Sequence, residues 1–431
     1  MKAIAALSCV AVANAFILPD PKIFEQSAIK NGDRRSWWDR VPSKDSIVNT
    51  VEDGVDSLSA HIEGALHTLE DTVENKFEDV FQEHFLNEHD SSDKSIYELI
   101  SESEHTTEFA KLVNDYKDIV EVLKSSKANH TLFVPTNSAF EHIPKHHKKP
   151  SKDVIEAILK YHVGIGEYDA KRVLRTHTLP TLLDEPLLGG KPQRLRISVG
   201  LGGVRVNFYA KVVAVNIRAN NGIIHAVDSL IIPPPFVGRE LTLLPTKFST
   251  LLLAYEKTDF VKYIHGVKST GTTVFAPSNR AFDSLGLKAN AFLFNTDCGL
   301  KYLKALLKYQ IVANTTLYSD AYYRPDDKDD AKVTEHYHID LPTLLDGKNI
   351  AVDVATWGGW TKVKLNGYIP ISVGDVVAKN GVIHVPARVP IPPHKHKTGS
   401  VDGEISVEEL KERLADYVDK EKDAGWLDAE L

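Results

Sequence analysis

Apolar residues along this chain follow two rhythms. Between residues 43 and 88 they recur every three or four positions, at Val48, Val51, Val55, Leu58, Ile62, Ala65 and Leu69. That is an a/d stripe over three heptads, and it predicts an amphipathic helix. Val73, Phe77 and Phe81 continue at four-residue steps, so the stripe drifts around the helix. Gly54 and Gly64 each weaken it by about 1 kcal/mol relative to Ala. Beyond residue 94 helical runs alternate with short strands. Ser95-Ile96-Tyr97-Glu98 has the letters of a capping box and opens a helix carrying Leu99 and Ile100 inward. A second helix runs through Phe109, Leu112, Val113 and Tyr116. Thr131 to Val134 form a strand that Pro135 ends, and Thr136 or Asn137 caps a short helix with Ala139 and Phe140.

The same order then returns. "TLFVPTNSAF" at 131–140 is matched by "TVFAPSNRAF" at 273–282, so Phe133, Pro135, Asn137 and Phe140 correspond to Phe275, Pro277, Asn279 and Phe282. Each copy is followed by a helix ending in Leu-Lys-Tyr, then by "LPTLL" at 179–183 and 341–345. Alternating strands follow, "VRVNFYAKVVAVNI" in the first copy and "TKVKLNGYIPISVG" in the second. "NGIIHAVDSLIIPP" (221–234) and "NGVIHVPARVPIPP" (380–393) close the copies, their Asn-Gly pairs suiting the positive φ angles of a tight hairpin turn. The period is too long for a solenoid unit and is that of a globular domain. Each unit is helices followed by strands, an α+β class.

These landmarks resemble the fasciclin (FAS1) family. The resemblance rests on "TLFVPTNSAF" and "TVFAPSNRAF", on the Tyr161-His162 pair, and on the two closing segments. It spans residues 94–236 and 243–393, and the layout resembles secreted fungal proteins with two tandem fasciclin domains. It implies a β-wedge packed with helices in each repeat. It also implies cell adhesion or association with matrix or cell wall, with no known catalytic centre. The neighbourhood of Tyr161-His162 and an acid near the second box, here Asp228, are implied as binding positions; the second copy has Ala387 in place of that acid.

Residues 1–15 carry the pattern of a secretory signal. Lys2 is the n-region, Ala3 to Ala13 the short apolar core, and Ala13-Asn14-Ala15 the cleavage site. Residues 16–42 form a loose leader around Trp37-Trp38. Cleavage removes Cys9 and leaves Cys298 alone, so no intrachain disulfide is expected. No other stretch is long and apolar enough to span a bilayer, so a soluble mature protein is expected, secreted to the cell surface or held in the vacuole lumen. Asn129-His130-Thr131 and Asn314-Thr315-Thr316 are glycosylation sequons.

The net charge of -8 argues against a nucleic-acid surface. Its distribution is uneven. Residues 43–90 hold 13 Asp/Glu against 2 Lys/Arg, a local -11 that leaves the rest of the chain near +3. Thirteen acids per chain oppose a self-paired coiled coil, so a monomer is expected, with the helix folded back on its own domains or docked on a basic or apolar partner. The remaining residues, 394–431, are expected to be a polar tail with a short helix.

Candidate chemistry is thin. His225 and His384 sit mid-strand among apolar neighbours, the place of a core histidine bonded to backbone. His162 corresponds to Gln310 in the second copy, and Gln can keep a buried hydrogen bond but cannot shuttle a proton. Thr136-Asn137 and Ser278-Asn279 are explained by helix caps without a nucleophile. No G-x-S-x-G elbow, P-loop, H-E-x-x-H or EF-hand loop occurs. In "HIPKHHKK" and "PPHKHKTG" interleaved lysines repel a cation and no Cys or close carboxylate completes a ligand set, so neither metal nor cofactor is expected. Trp357-Gly358-Gly359-Trp360 reads as a hairpin tip whose rings can stack on sugar. The sequence therefore points to a non-enzymatic adhesion or wall-associated protein, with a carbohydrate-binding or carbohydrate-active protein as its rival.

Overall fold

The computed structural model describes residues 93–418, except 128, 142–149, 201–202, 325–330, 333–335, 358–359 and 394–404. The signal, the leader, the acidic stretch 43–90 and the His/Lys runs at 142–149 and 394–397 lie outside the described residues. Those described belong to one compact unit, Ser43–Leu431.

The first repeat opens on α1 (Ile96–Glu102), α2 (Thr107–Asn114) and α3 (Lys117–Lys124). The capping box forms, with Glu98 Oε2 accepting the Ser95 N–H at 2.7 Å and Ser95 Oγ accepting the Glu98 N–H. Ile96 and Ile100, one turn apart, are buried, while Leu99 is half-buried. Where the apolar pattern suggests one helix through Tyr116, the chain breaks after Asn114. α3 then buries Ile119 and Leu123 as a third element.

Next come β1 (His130–Pro135), α4 (Asn137–Glu141), α5 (Lys152–Tyr161), β2 (Val163–Ile165) and α6 (Ala170–Leu174). Then follow β3 (Thr178–Glu185), β4 (Lys191–Gly200), β5 (Gly203–Val206), β6 (Ala210–Ala219) and β7 (Gly222–Val227). The seven strands close into a barrel in chain order. Neighbours are antiparallel except β1 and β7, which run parallel and seal it. Leu195 and Ile197 of β4 and Val204 and Val206 of β5 alternate into a core with Phe133, Tyr161 and Leu179, the period-2 pattern of a half-buried strand.

α7 (Val237–Leu243) leads into the second repeat, which begins with α8 (Pro245–Lys257), α9 (Phe260–His265), β8 (Thr272–Phe275) and α10 (Asn279–Asp283). α11 (Leu287–Asn295), α12 (Asp297–Tyr309) and β9 (Ile311–Ala313) follow. A small sheet of β10 (Thr316–Leu317), β11 (Ala321–Tyr323) and β12 (Ala331–Lys332) comes next. β13 (His336–Pro342), β14 (Asn349–Trp357), β15 (Trp360–Leu365), β16 (Ile369–Ala378) and β17 (Gly381–Pro386) complete a seven-stranded sheet of order β13-β14-β15-β16-β17-β8-β9. β8 and β17 are parallel, as β1 and β7 are in the first repeat.

Two expectations are corrected here. The last helix, α13 (Val407–Val418), is no polar appendage: Leu410, Leu414 and Val418 recur at four-residue steps and are buried in the second core, against α11 and α12. The Asn-Gly pairs are not the two residues of a turn. Ala219 pairs with Gly222 and Ala378 with Gly381, so the turns are Asn220-Asn221 and Lys379-Asn380. Gly222 and Gly381 begin strands at φ 150° and 155°. A Cβ there would lie 2.0 Å from the carbonyl oxygens of His130 and Thr272, so only glycine lets the parallel neighbour pass. The asparagines bind helices. Asn221 Oδ1 accepts the Ile96 N–H at 2.8 Å and its Nδ2 donates to Leu123 O at 2.8 Å, while Asn380 Oδ1 accepts the Val237 N–H at 3.0 Å.

Candidate functional site

The three histidines with the best claim to chemistry are core residues. His225, on β7, packs tilted against Phe133 with ring centroids 5.5 Å apart, and His384, on β17, stacks on Phe275 at 5.8 Å. His225 Nε2 donates to Tyr168 O at 2.7 Å and its Nδ1 accepts the Asn216 N–H at 3.4 Å. His384 repeats this with Leu317 O at 2.7 Å and the Asp375 N–H at 3.3 Å. Both ring nitrogens are thus committed to backbone. The space beside His225 is about 10 Å³, lined by Phe133, Val173, Val204 and Val212, room for no more than one water.

His162 caps the C-terminus of α5 and is fully buried. Its Nδ1 donates to Ile158 O at 2.7 Å and its Nε2 accepts the Ile231 N–H at 3.0 Å. Burial pulls the pKa of His162 and of His225 down to about 4, so both rings are neutral near pH 7. Tyr161 is buried as well, its hydroxyl donating to Arg194 O at 2.9 Å and accepting from Asn207 Nδ2 at 2.8 Å. The expectation that Tyr161 and His162 touch a partner is therefore corrected: neither ring reaches solvent.

Thr136, Asn137, Ser278 and Asn279 divide differently from the sequence reading. Ser278 Oγ does accept the Ala281 N–H and caps α10. Thr136 makes no cap; its hydroxyl meets Ser138 Oγ at 2.9 Å. Asn137 and Asn279 reach back to another helix. Asn137 Oδ1 accepts the Glu108 N–H of α2 at 3.0 Å while its Nδ2 donates to Glu104 O at 2.8 Å. Asn279 Oδ1 accepts the Thr250 N–H of α8 at 2.9 Å and Nδ2 donates to Thr246 O at 3.0 Å. In each domain one amide side chain thereby pairs with both a backbone N–H and a backbone carbonyl of another segment.

A buried polar cluster lies between the repeats. Arg194, on β4, is buried and faces the rings of Tyr318 and Tyr323, its guanidinium carbon 5.5 and 5.8 Å from their centroids. Its Nε donates to Thr178 Oγ1 at 2.7 Å and its Nη1 to Tyr323 Oη at 3.2 Å. Asp320 completes the set from the second repeat. It accepts the His177 and Thr178 N–H groups at 3.1 and 2.7 Å and the Thr178 hydroxyl, 4.0 Å from Arg194 Nη2. Burial raises the Asp320 carboxyl pKa while the Arg194 charge opposes that rise. Gln193 Nε2 donates to Ala378 O at 3.3 Å, Arg196 Nε to Gly374 O at 2.9 Å, and the Gly271 N–H to Leu187 O at 2.7 Å. Leu188 packs into an apolar cluster with Tyr318, Ala321, Tyr323, Val377 and Val382 beside them.

Comparison with known proteins gives this architecture its place. A fasciclin domain model matches residues 104–233 and 246–392, more than half of the chain. The chain belongs to the fasciclin domain family. Aurofusarin biosynthesis cluster protein S of Gibberella zeae is 28% identical over 360 residues, 76% of this chain and 87% of that protein. Stabilin-2 of Mus musculus is 31% identical over 200 residues, 43% of this chain but 7% of that protein's length. A solved FAS1 domain pair from the insect cell adhesion molecule Fasciclin I covers 67% of this chain and 96% of its own at 16% identity, with a TM-score of 0.32. The fold is thus two tandem fasciclin domains of α+β class.

Within the first fasciclin domain, Asp228 is half-buried at the end of β7, its Oδ1 accepting the Lys211 N–H at 2.8 Å and the Ser229 hydroxyl at 3.0 Å. Asp228 shares no hydrogen bond with Tyr161 or His162 among the described residues. Asn129 is exposed and donates to Glu167 Oε2 at 2.8 Å; Asn314 is exposed at φ 57° and its Oδ1 accepts the Thr270 N–H at 3.0 Å. Trp357 and Trp360 pair on the last rung of the β14–β15 hairpin, and residues 358–359 between them lie outside those described. Among the described residues no group of three or more His, Cys, Asp or Glu could hold a metal, and no helix is long and apolar enough to cross a membrane. Sequence reasoning does not find Arg194 or Asp320. The signal present is an acid between tyrosines, Tyr318, Tyr322 and Tyr323, which buries a charge that needs a cation.

Proposed function

We propose that this is a secreted, non-catalytic adhesion or wall-associated protein whose two fasciclin domains act as one scaffold through their outer surfaces. The observation that carries this reading is the double commitment of the histidines. His162, His225 and His384 each spend both ring nitrogens on backbone, so none of the three is free to serve a substrate as general base. The seam between the domains, tied by Arg194 and Asp320, supports a rigid pair. Retention of the full chain on cell-wall polysaccharide tests it. A Trp357→Ala, Trp360→Ala variant should lose that retention at an unchanged melting temperature if the hairpin tip binds glycan. A turnover that disappears in a folded His225→Ala variant would sink the non-catalytic reading.

A second reading has its own support, since the relative that spans 76% of this chain is a biosynthesis-cluster protein. In that reading the scaffold serves a biosynthetic step carried out by other proteins. Loss of a metabolite in a deletion strain, with wall adhesion intact, favours it over adhesion.

A further inference from the structure

The opening helices of the two domains are held alike but capped differently. Asn221 accepts the Ile96 N–H at the start of α1, and Asn380 accepts the Val237 N–H at the start of α7. Ser95 is therefore matched by Phe236. Ser95 caps α1 through its hydroxyl, whereas Phe236 stands at the N-cap of α7, makes no cap bond and is 51% exposed. An apolar residue in that place costs about 1 kcal/mol against serine. Three prolines, Pro233 to Pro235, stiffen the chain that leads into it.

Exposed apolar surface continues along one flank of α7. Val237 and Leu241 turn inward, while Leu243, two turns after Phe236 and on its side of the helix, is half-buried. Leu244 ends the helix and is 49% exposed. Ile232 is 44% exposed, its N–H bonded to Tyr209 Oη at 2.9 Å. Ile391, its counterpart in the second domain, is buried in the core. Glu240 lies one turn from both Phe236 and Leu244, and close enough to Tyr209 for its charge to raise that hydroxyl's pKa. Cations edge the same surface. Lys379 Nζ is 5.6 Å from the Phe236 ring centroid, and Arg239 and Lys247 are exposed. Glu240 is the one acid between Ile231 and Lys247.

We propose that this ridge, from Ile232 through Phe236 to Leu244, docks on anionic lipid surfaces and that Glu240 gates the docking. Aromatic and aliphatic side chains rimmed by Lys and Arg suit a headgroup layer, the rings and methyls entering the interface while the cations meet its negative charge. A lipid surface takes such projecting side chains without a matching cavity. A carboxylate in the middle of the ridge opposes both effects. Burial raises the Glu240 pKa to about 7. The hydroxyls that sense its charge, Tyr209 and Tyr161, stay neutral because burial raises their pKa as well, and Arg239 beside it and Lys379 across from it are charged throughout. Glu240 is therefore neutral below pH 7 and negative above it, so docking strengthens on acidification.

Co-sedimentation of the full chain with vesicles tests this. Phosphatidylcholine vesicles containing phosphatidylserine should bind it at pH 5.5 and about tenfold less tightly at pH 8, as the neutral fraction of Glu240 falls. Vesicles of phosphatidylcholine alone should bind it weakly at both. Glu240→Gln should bind at pH 8 as wild type does at pH 5.5. Phe236→Ser should weaken binding by about tenfold. It installs the cap that Ser95 supplies in the first domain, so it should keep or raise the melting temperature and separates undocking from unfolding. Should Phe236→Ser fail to fold, Leu244→Ala takes its place. Binding by that variant within twofold of wild type overturns the proposal, as does an undiminished pH dependence in Glu240→Gln. Equal binding to the two vesicle types overturns it too, because the cations then play no part. Absence of vesicle binding at pH 5.5 also overturns it, and a dimer dissolved by Phe236→Ser would then name a second copy as the occupant.

Discussion

His162 Nε2 accepts the backbone N–H of Ile231 at 3.0 Å, and the second domain has changed both partners of that bond. Gln310 stands in the place of His162, and Pro390, which has no N–H, in the place of Ile231. Gln310 keeps an acceptor oxygen, but Pro390 has no N–H to offer it. Gln310 Nε2 is buried without a partner, so the second copy has lost part of the clasp.

His162→Gln should therefore be mild, below about 1 kcal/mol, because an amide can donate to Ile158 O and accept from Ile231. His162→Ala should cost about 2–4 kcal/mol, combining a cavity with an unpaired Ile231 N–H. Denaturant midpoints of the two variants check this. Equal costs would show that ring packing against Phe109, at a centroid distance of 5.4 Å, matters more than the bond.

Acidification pits three groups against one another. His162 and His225 have folded pKa values of about 4 against an ordinary 6.5, lowered by burial. Their stabilising effect is complete above pH 6.5 and is lost as pH falls through 4, on the order of 3 kcal/mol each. Glu240 runs the other way. Burial raises its pKa to about 7, so its contribution is full below about 4.5 and is lost as pH rises through 7. Two histidines outweigh one acid, and stability should fall between pH 6.5 and 4. His162→Gln should flatten that fall, and Glu240→Gln should raise the melting temperature at pH 8. A melting temperature indifferent to pH from 4.5 to 6.5 in wild type would count against buried neutral rings.

The repeat, the strand and helix order and the buried histidines are legible in the sequence because each is a local pattern written twice. What is not legible depends on contacts across the fold. "NGIIHAVDSLIIPP" shows an Asn-Gly pair and suggests a turn; only the parallel pairing of β1 with β7 shows that Gly222 makes room for His130. Asn137 looks like the cap of its own helix, and only the packing of α2 shows whose N–H it accepts. Arg194, on a strand, and Asp320, in the bend between β10 and β11, stand 126 positions apart, so no periodicity links them.

Gly222→Ala and Gly381→Ala follow from the first of these. Each methyl would need a carbonyl oxygen 2.0 Å away to move, together with a parallel strand that seals its sheet. Losses above about 3 kcal/mol are expected, well beyond the central tendency for point substitutions. Gly190→Ala is the control, because φ is also positive at 74° but nothing lies within 4 Å. It should cost no more than about 1–2 kcal/mol. Similar losses at Gly190 and Gly222 would assign the effect to backbone conformation alone.

Arg194 is buried between domains with Asp320 4.0 Å away and two tyrosine rings around it. Removing one member of such a pair leaves the other charge uncompensated in a dry place, which costs about 3–5 kcal/mol. Asp320→Ala should therefore be more damaging than the Arg194→Met, Asp320→Ala double change, in which no charge stays behind. Because the cluster joins the two fasciclin domains, its loss should also divide their unfolding. Calorimetry of wild type should give one transition, with two resolved in Asp320→Ala. The double variant separates the two effects, since it recovers the charge penalty but not the hydrogen bonds across the seam from the Thr178 N–H to Asp320 and from Arg194 Nη1 to Tyr323 Oη. If it is as unstable as Asp320→Ala, the hydrogen bonds dominate; if wild type already melts in two steps, the domains are not a single cooperative body.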